Sequence, residues 1–154
     1  MPATPSAVAA AKTVVTVDAT YLQTLLGYSA RRVSLQVIEL FTERMAAYGL
    51  SPVDFSVLSL IRHNPGITSR QLCSALSVLP PNLVGKISMM EKRDLLRKPH
   101  PDDRRAIGLY LTTTGNQMMA QAENTATGLE SDVISKLTSA EAKTLLRLLQ
   151  KVYL

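Results

Sequence analysis

The stretch Pro80–Gly115, PPNLVGKISMMEKRDLLRKPHPDDRRAIGLYLTTTG, decides how this chain is read. Two consecutive prolines stop any helix running into them, yet proline is tolerated in a helix's first turn, where its missing N–H has no partner to lose. A helix is therefore expected from Pro80 to about Arg93, with Leu83, Val84, Ile87, Met89 and Met90 turned to a core. Leu95-Leu96 opens an extended segment, followed by the polar, proline-marked run Arg97–Arg105. Ile107, Leu109 and Leu111 then alternate with Gly108 and Tyr110, as in a half-buried strand. The pattern is a helix followed by a two-stranded hairpin with a charged tip.

Charge singles out the same stretch. The whole chain carries 17 Lys and Arg against 12 Asp and Glu, a formal +5 that many basic proteins share. Seven of those cations, Lys86, Lys92, Arg93, Arg97, Lys98, Arg104 and Arg105, fall between Lys86 and Arg105, so the positive charge is local and suits an anionic partner.

Working outward, Thr68 and Gln71 have capping-box spacing and open a short helix to about Leu76, with Leu72, Ala75 and Leu76 inward. Ser51, Pro52 and Asp54 supply an N-cap, an N1 proline and a capping acid for a helix over Pro52–His63; Asn64-Pro65-Gly66 is a turn. Upstream, apolar residues from Leu22 to Tyr48 recur at three- and four-residue steps, predicting one long helix that ends at Gly49. Downstream, a helix from Thr113 or Thr114 carries Met118, Ala122, Leu129, Val133 and Leu137 on one side, with Gly128 as a possible bend. Thr138 and Glu141 cap a last helix striped by Ala142, Leu145, Leu146, Leu149 and Val152.

The fold class is mainly α with a small β-wing: a winged helix-turn-helix lobe over 50–112, flanked by a dimerisation helix over 18–48 and C-terminal dimerisation helices over 113–154. Residues 1–17, rich in Ala, Pro and Val, read as a flexible arm, since they lack the basic start of a signal peptide. The outer helices expose apolar faces with few partners in one chain, so a homodimer is expected, matching a pseudo-palindromic site on double-stranded DNA.

Other chemistry finds little support. Cys73 is the only cysteine, which excludes an intrachain disulfide and suits a cytoplasmic protein. His63 and His100 stand apart from any ligand or acid–base grouping, so no metal, cofactor or enzyme activity is expected. No run of about eighteen apolar residues is present to cross a membrane.

Three motifs, LSPVDFSVLSLI (50–61), LPPNLVGKISMMEKRDLLRK (79–98) and DDRRAIGLYLTTTG (102–115), make the chain from about Tyr21 to Leu154 resemble the MarR family of bacterial transcriptional regulators. The resemblance implies a winged-helix homodimer that represses, or sometimes activates, nearby genes in response to a small-molecule effector. Asp94 departs from the glycine usual between the recognition helix and the Leu-Leu strand, and is expected to take the left-handed turn there.

A recognition helix offers its N-terminal end to base edges, which nominates Pro81, Asn82, Gly85 and Lys86; Asn82 suits adenine, and Lys86 suits guanine or phosphate. Ser69, Arg70 and Gln71 open the preceding helix as a phosphate clamp, with Arg62 and Lys98 as further phosphate candidates. By the resemblance, Arg105 enters the minor groove and Arg104 contacts phosphate, while Asp103 orients a neighbouring cation by an ion pair. Arg31 and Arg32 read first as intersubunit or surface ion-pair partners. The resemblance adds a carboxylate-holding role in an effector crevice beside Tyr28, which Phe55 and Met45 would line only if they left the core.

A winged-helix module for protein contacts, without operator binding, is the alternative; it has no need of a cationic wing. Replacing Arg105 with Ala is expected to weaken operator binding by about 1–3 kcal/mol and to flatten any A·T preference at the flank. A titration unchanged by this substitution overturns the wing assignment.

Overall fold

Capping chemistry places most element boundaries. The computed structural model describes residues 17–103 and 105–154, so all of the expected arm except Val17 lies outside the described residues. Two compact units divide the chain, Met1–Val33 and Ser34–Leu154. The first holds α1 (Thr20–Gln23) and the opening turns of α2 (Leu26–Met45). The single helix expected over 18–48 is therefore in pieces. The Thr24 hydroxyl donates to the Tyr21 carbonyl at 2.7 Å, and the N–H groups of Thr24 and Leu25 reach back only three residues, which interrupts the i−4 ladder. At its far end α2 tightens into a 3-10 turn, Ala46–Tyr48, and Gly49 stops it with a φ of 64°.

In the second unit follow α3 (Pro52–His63), α4 (Ser69–Leu76), α5 (Pro80–Met90), β1 (Leu95–Pro99), β2 (Ile107–Leu111), α6 (Thr113–Val133) and α7 (Ser139–Tyr153). Closed capping boxes start α3, α4 and α7. The Thr112 hydroxyl starts α6 by accepting the Gly115 N–H at 2.9 Å, and α6 continues unbroken through Gly128. After α4, Ser77 takes a left-handed φ of 52° and lets the Val78 N–H close on the Cys73 carbonyl, turning the chain toward α5.

The core gathers Val57, Leu58 and Ile61 of α3, Leu72 of α4, Leu83, Ile87 and Met90 of α5, and Met119, Ala122 and Leu129 of α6. Phe41 and Met45 of α2 complete it, Phe41 meeting Phe55 edge-to-face at 5.4 Å. Each such large side chain contributes about 1.5–3 kcal/mol on burial, well above a typical surface ion pair, so this cluster sets the positions of the helices. Phe55 and Met45 thus belong to packing.

Several expected core positions are exposed instead. On α5 only the narrow Leu83/Ile87/Met90 stripe is covered; Val84 and Met89, about 90° or more from the centre of that stripe on a helical wheel, are 56% and 75% exposed. Ala75 is exposed for the same reason, its place in the inward face of α4 being taken by Cys73. Leu137 falls beyond the end of α6, while Met119, absent from the expected stripe, is fully buried.

β1 and β2 pair antiparallel, Leu95 opposite Leu111 and Pro99 opposite Ile107. Leu109 is fully buried, and its backbone also pairs with Ile67, whereas Ile107, expected inward, is exposed. Asp94 does not take the expected left-handed turn: Ser77 is the one non-glycine residue at positive φ among those described. Its N–H instead closes on the Met90 carbonyl at 2.7 Å, and its own carbonyl accepts the Thr112 N–H at 2.9 Å.

That carbonyl leaves no room beside it. A Cβ on Gly115 would lie 2.6 Å from the Asp94 oxygen, a backbone atom held from both sides. Alanine is the better helix former by about 1 kcal/mol, but overpacking against backbone costs about 1–3 kcal/mol. Gly115→Ala is therefore expected to lower the melting temperature; an unchanged or higher one contradicts this packing.

Candidate nucleic-acid interface

The start of α5 has no side-chain cap, and Pro80 and Pro81 occupy its first turn. Opposite the buried stripe, Pro81, Asn82, Gly85, Ser88 and Met89 form the bare face of the helix. A Cβ at Gly85 would meet nothing within 4 Å, so no internal contact demands a glycine there. Ser88 was missed by sequence reasoning, although its seven-residue spacing from Pro81 puts both on one face.

Lys86 lies on the flank of that face, toward α3. Its ammonium donates to Asp54 Oδ1 at 2.7 Å, and both side chains are partly buried. Two of its three N–H donors remain for a base or phosphate, but its charge is already shared with Asp54. Asp54 is also the capping acid of α3, taking the Ser51 hydroxyl at 2.6 Å. Burial alone would raise its carboxyl, but the Lys86 ammonium together with the Ser51 hydroxyl and N–H holds it below the ordinary value of 3.8.

At the start of α4, Ser69 is half-buried while Arg70 and Gln71 are exposed. Gln71 spends its carbonyl oxygen on the Thr68 N–H and hydroxyl, leaving its amide NH2 free to donate. Arg62 is committed elsewhere: Glu123 of α6 collects its guanidinium, the Ser59 hydroxyl and His63 Nε2, tying α3 to α6. Arg93 pairs with Asp94 and Arg97 with Glu91. Three of the seven clustered cations, Lys86, Arg93 and Arg97, are therefore neutralised internally. Among the described residues, Arg70, Lys92, Lys98 and Arg105 have no carboxylate within ion-pairing reach. Lys98 rests 5.5 Å from the centre of the Tyr110 ring, diagonally across the hairpin.

The wing tip is folded by backbone hydrogen bonds. His100 N–H donates to the Ala106 carbonyl at 3.0 Å and Ala106 N–H to the Asp103 carbonyl at 2.9 Å. Asp103 was expected to orient a neighbouring cation by an ion pair; its Oδ1 accepts the Arg105 N–H at 2.9 Å, aiming that residue through its backbone, and among the described residues it has no ion pair. Arg105 is exposed, and Arg104 lies outside the described residues.

In the first unit Tyr28 is half-buried and Arg31 and Arg32 are exposed. A cavity of about 360 Å³ lies within the second unit, where buried Leu50, Leu58 and Met90 meet the Asp54–Lys86 pair and exposed Lys92 and Arg93. Cys73 is a free thiol, half-buried on α4.

The helix-turn-helix and hairpin make the second unit a winged-helix protein. Residues 48–106 match the MarR family. A putative transcriptional regulatory protein for the hcr operon of Thauera aromatica is 29% identical over 130 residues, 83% of this chain and 78% of that protein. The structure of the transcriptional repressor CouR bound to a 23-mer DNA duplex superposes with a TM-score of 0.81 at 33% identity, covering 89% of this chain and 98% of that one. CouR from Rhodococcus jostii RHA1, bound to p-coumaroyl-CoA, shares the fold, with a TM-score of 0.78 at 21% identity over 85% of this chain and 93% of that one. The chain belongs to the MarR family of transcriptional regulators.

A carboxylate whose folded pKa is depressed stabilises the protein above its unfolded pKa and loses that contribution as pH falls through the folded one. Asp54→Asn is thus expected to cost about 1–2 kcal/mol at pH 7, through the lost ion pair and weakened cap. The difference from wild type should shrink as acid unfolding is followed downward through pH 3.8. A constant difference down to pH 2 would show that the Asp54 charge is not what stabilises.

Proposed function

We propose that this protein is a ligand-responsive repressor that binds a pseudo-palindromic DNA operator in a sequence-specific manner, as a homodimer in the cytoplasm. The observation that carries the proposal is the bare N-terminal face of α5: one stripe holds the helix in the core, while Pro81, Asn82 and Gly85 face outward with no internal duty. Asn82 suits a bidentate contact to adenine, and Gly85 lets a DNA edge approach the helix backbone. Ser69, Arg70 and Gln71 at the start of α4, with Lys98, Arg104 and Arg105 of the wing, grip phosphate and minor groove. The DNA duplex bound by CouR supports this reading.

A homodimer follows from the apolar side chains that one copy leaves uncovered, among them Leu145, Leu146, Leu149 and Val152 of α7. In this proposal 18–48 and 113–154 are the dimerisation helices around the DNA-binding lobe at 50–112. For the effector, the cavity beside Lys86 is the better supported site: it offers a small organic acid or thioester apolar walls and Lys92, which has no carboxylate in reach among the described residues, beside the Asp54–Lys86 and Asp94–Arg93 pairs, the first of them on the recognition helix. Tyr28, Arg31 and Arg32 are the competing site.

Footprinting on the DNA flanking its own gene, over a range of salt and with a panel of aromatic acids and their thioesters, tests these points together. A protected, two-fold symmetric site is expected, with affinity falling steeply as salt rises and Asn82→Ala costing about 1–3 kcal/mol at one base pair per half-site. A folded protein that protects no DNA even at low salt is instead a protein-contact module. Release of DNA by a panel compound, abolished by Lys92→Ala but not by Arg31→Ala, supports the Lys86 cavity; the reverse pattern supports the first-unit site.

A further inference from the structure

We infer that His100 is the positioning residue of the wing: its unprotonated Nδ1 folds the tip that presents Arg105, so DNA binding weakens when this imidazole is protonated. The inference rests on the DNA-binding reading above. His100 follows Pro99 at the end of β1, and its Nδ1 accepts the N–H groups of both Asp102 and Asp103 at 3.2 Å. Asp103, fixed in this way, accepts the Arg105 N–H through its carboxylate and the Ala106 N–H through its carbonyl. The tip lies beyond the last rung of the β1–β2 ladder, Pro99 opposite Ile107, so these bonds replace strand pairing as its scaffold.

A ring nitrogen accepts two N–H groups only with its lone pair free, which assigns the proton of the neutral ring to Nε2. Protonating Nδ1 sets a third N–H against two others. Both bonds are then lost and the exposed Asp102 and Asp103 amides pass to solvent, so the path from His100 through Asp103 to Arg105 loosens. A loosened tip must be ordered again on DNA, and affinity falls accordingly. Histidine is the side chain whose charge ordinarily changes between pH 5 and 8. The charged groups beside the ring among the described residues are Asp102 and Asp103 of its own loop. A second cavity, beside the ring, is lined from α3, α4 and the turn between them by Leu60, Asn64, Gly66, Gln71 and Ala75, none of which titrates. From β2, Tyr110 stands beside Gly66 and under Lys98.

A positive imidazole near phosphate would instead strengthen binding, and the two effects have opposite signs. Asparagine separates them, because its Oδ1 sits at the same bond count from Cα as Nδ1 and accepts hydrogen bonds without titrating. Wild type, His100→Asn and His100→Ala are compared by operator titration from pH 8 to 5.5. At pH 7.5, His100→Asn should bind within about twofold of wild type and His100→Ala about five- to tenfold more weakly, as the loss of one or two hydrogen bonds implies. On acidification to pH 5.5, wild type should lose affinity relative to His100→Asn, by at most about tenfold per pH unit, the limit for one proton. Parallel pH profiles for wild type and His100→Asn overturn the inference, as does wild-type binding that strengthens in acid. Nitrogen-15 NMR of the DNA-free protein supplies an independent readout: the Nε2–H tautomer is expected, with the Asp102 and Asp103 amide signals moving together with the imidazole. An Nδ1–H tautomer overturns the inference without reference to DNA. Absence of DNA binding by all three proteins at every pH removes the DNA-binding reading itself, while the NMR result still decides whether His100 folds the tip.

Discussion

The corner at Asp94 joins the parts of the winged helix. Its N–H finishes α5, its carbonyl takes the Thr112 N–H where β2 gives way to α6, and its carboxylate, almost wholly buried, is held by Arg93. Leu95 begins the wing one residue later, and Gly115 lets α6 pass against the Asp94 carbonyl at a distance no side chain permits. Recognition helix, wing and the first turn of α6 are thereby locked to one residue. Since packed interiors transmit displacement and do not absorb it, a shift of α5 should carry the wing with it. An aspartate fills this place without a left-handed backbone because the chain leaves α5 through a further turn of helical type, Arg93 N–H also closing on the Met90 carbonyl.

Charge in the same region divides into two populations. Pairs such as Lys86 with Asp54 and Arg97 with Glu91 fasten α5 to α3 and to the start of the wing. Exposed cations at Arg70, Lys92 and Arg105 remain available to an outside anion. The Asp54–Lys86 pair belongs in part to both, since it joins the N-cap of α3 to the flank of the recognition helix beside the 360 Å³ cavity. An anionic ligand there would compete with Asp54 for Lys86. Such competition gives the proposed effector a different affinity for the two arrangements of the helix, as any population shift requires.

Elements whose signals are local were legible from the sequence. Ser51 with Asp54, Thr68 with Gln71, and Thr138 with Glu141 each close a box within four residues, so the starts of α3, α4 and α7 could be read directly. The paired prolines marked the start of α5, and the alternation around Leu109 marked β2. The break at Thr24 was not legible, because a threonine hydroxyl bonding backward is equally compatible with a continuous helix until its carbonyl partner is known. Ser77 gave no signal either, since serine seldom takes the left-handed conformation it adopts there.

By itself, the sequence determined the order of elements, their caps and the polar and apolar faces of each helix, because these depend on residues within a turn of one another. Tertiary structure decided how wide a stripe of each helix is covered and which charges are spent. Val84 and Met89 stay outside because α5 meets the core along a single ridge, a fact set by its neighbours and not by its own periodicity. Lys86 is engaged by a carboxylate 32 positions away, and Arg62 by one 61 positions away. The amides of Asp102 and Asp103 lie only two and three positions from His100, yet it is the turn of the hairpin tip, not their spacing, that brings them onto its ring. Side-chain chemistry is written locally, but its partners are chosen by chain reversal, and spacing along the chain does not encode which groups a turn will bring together.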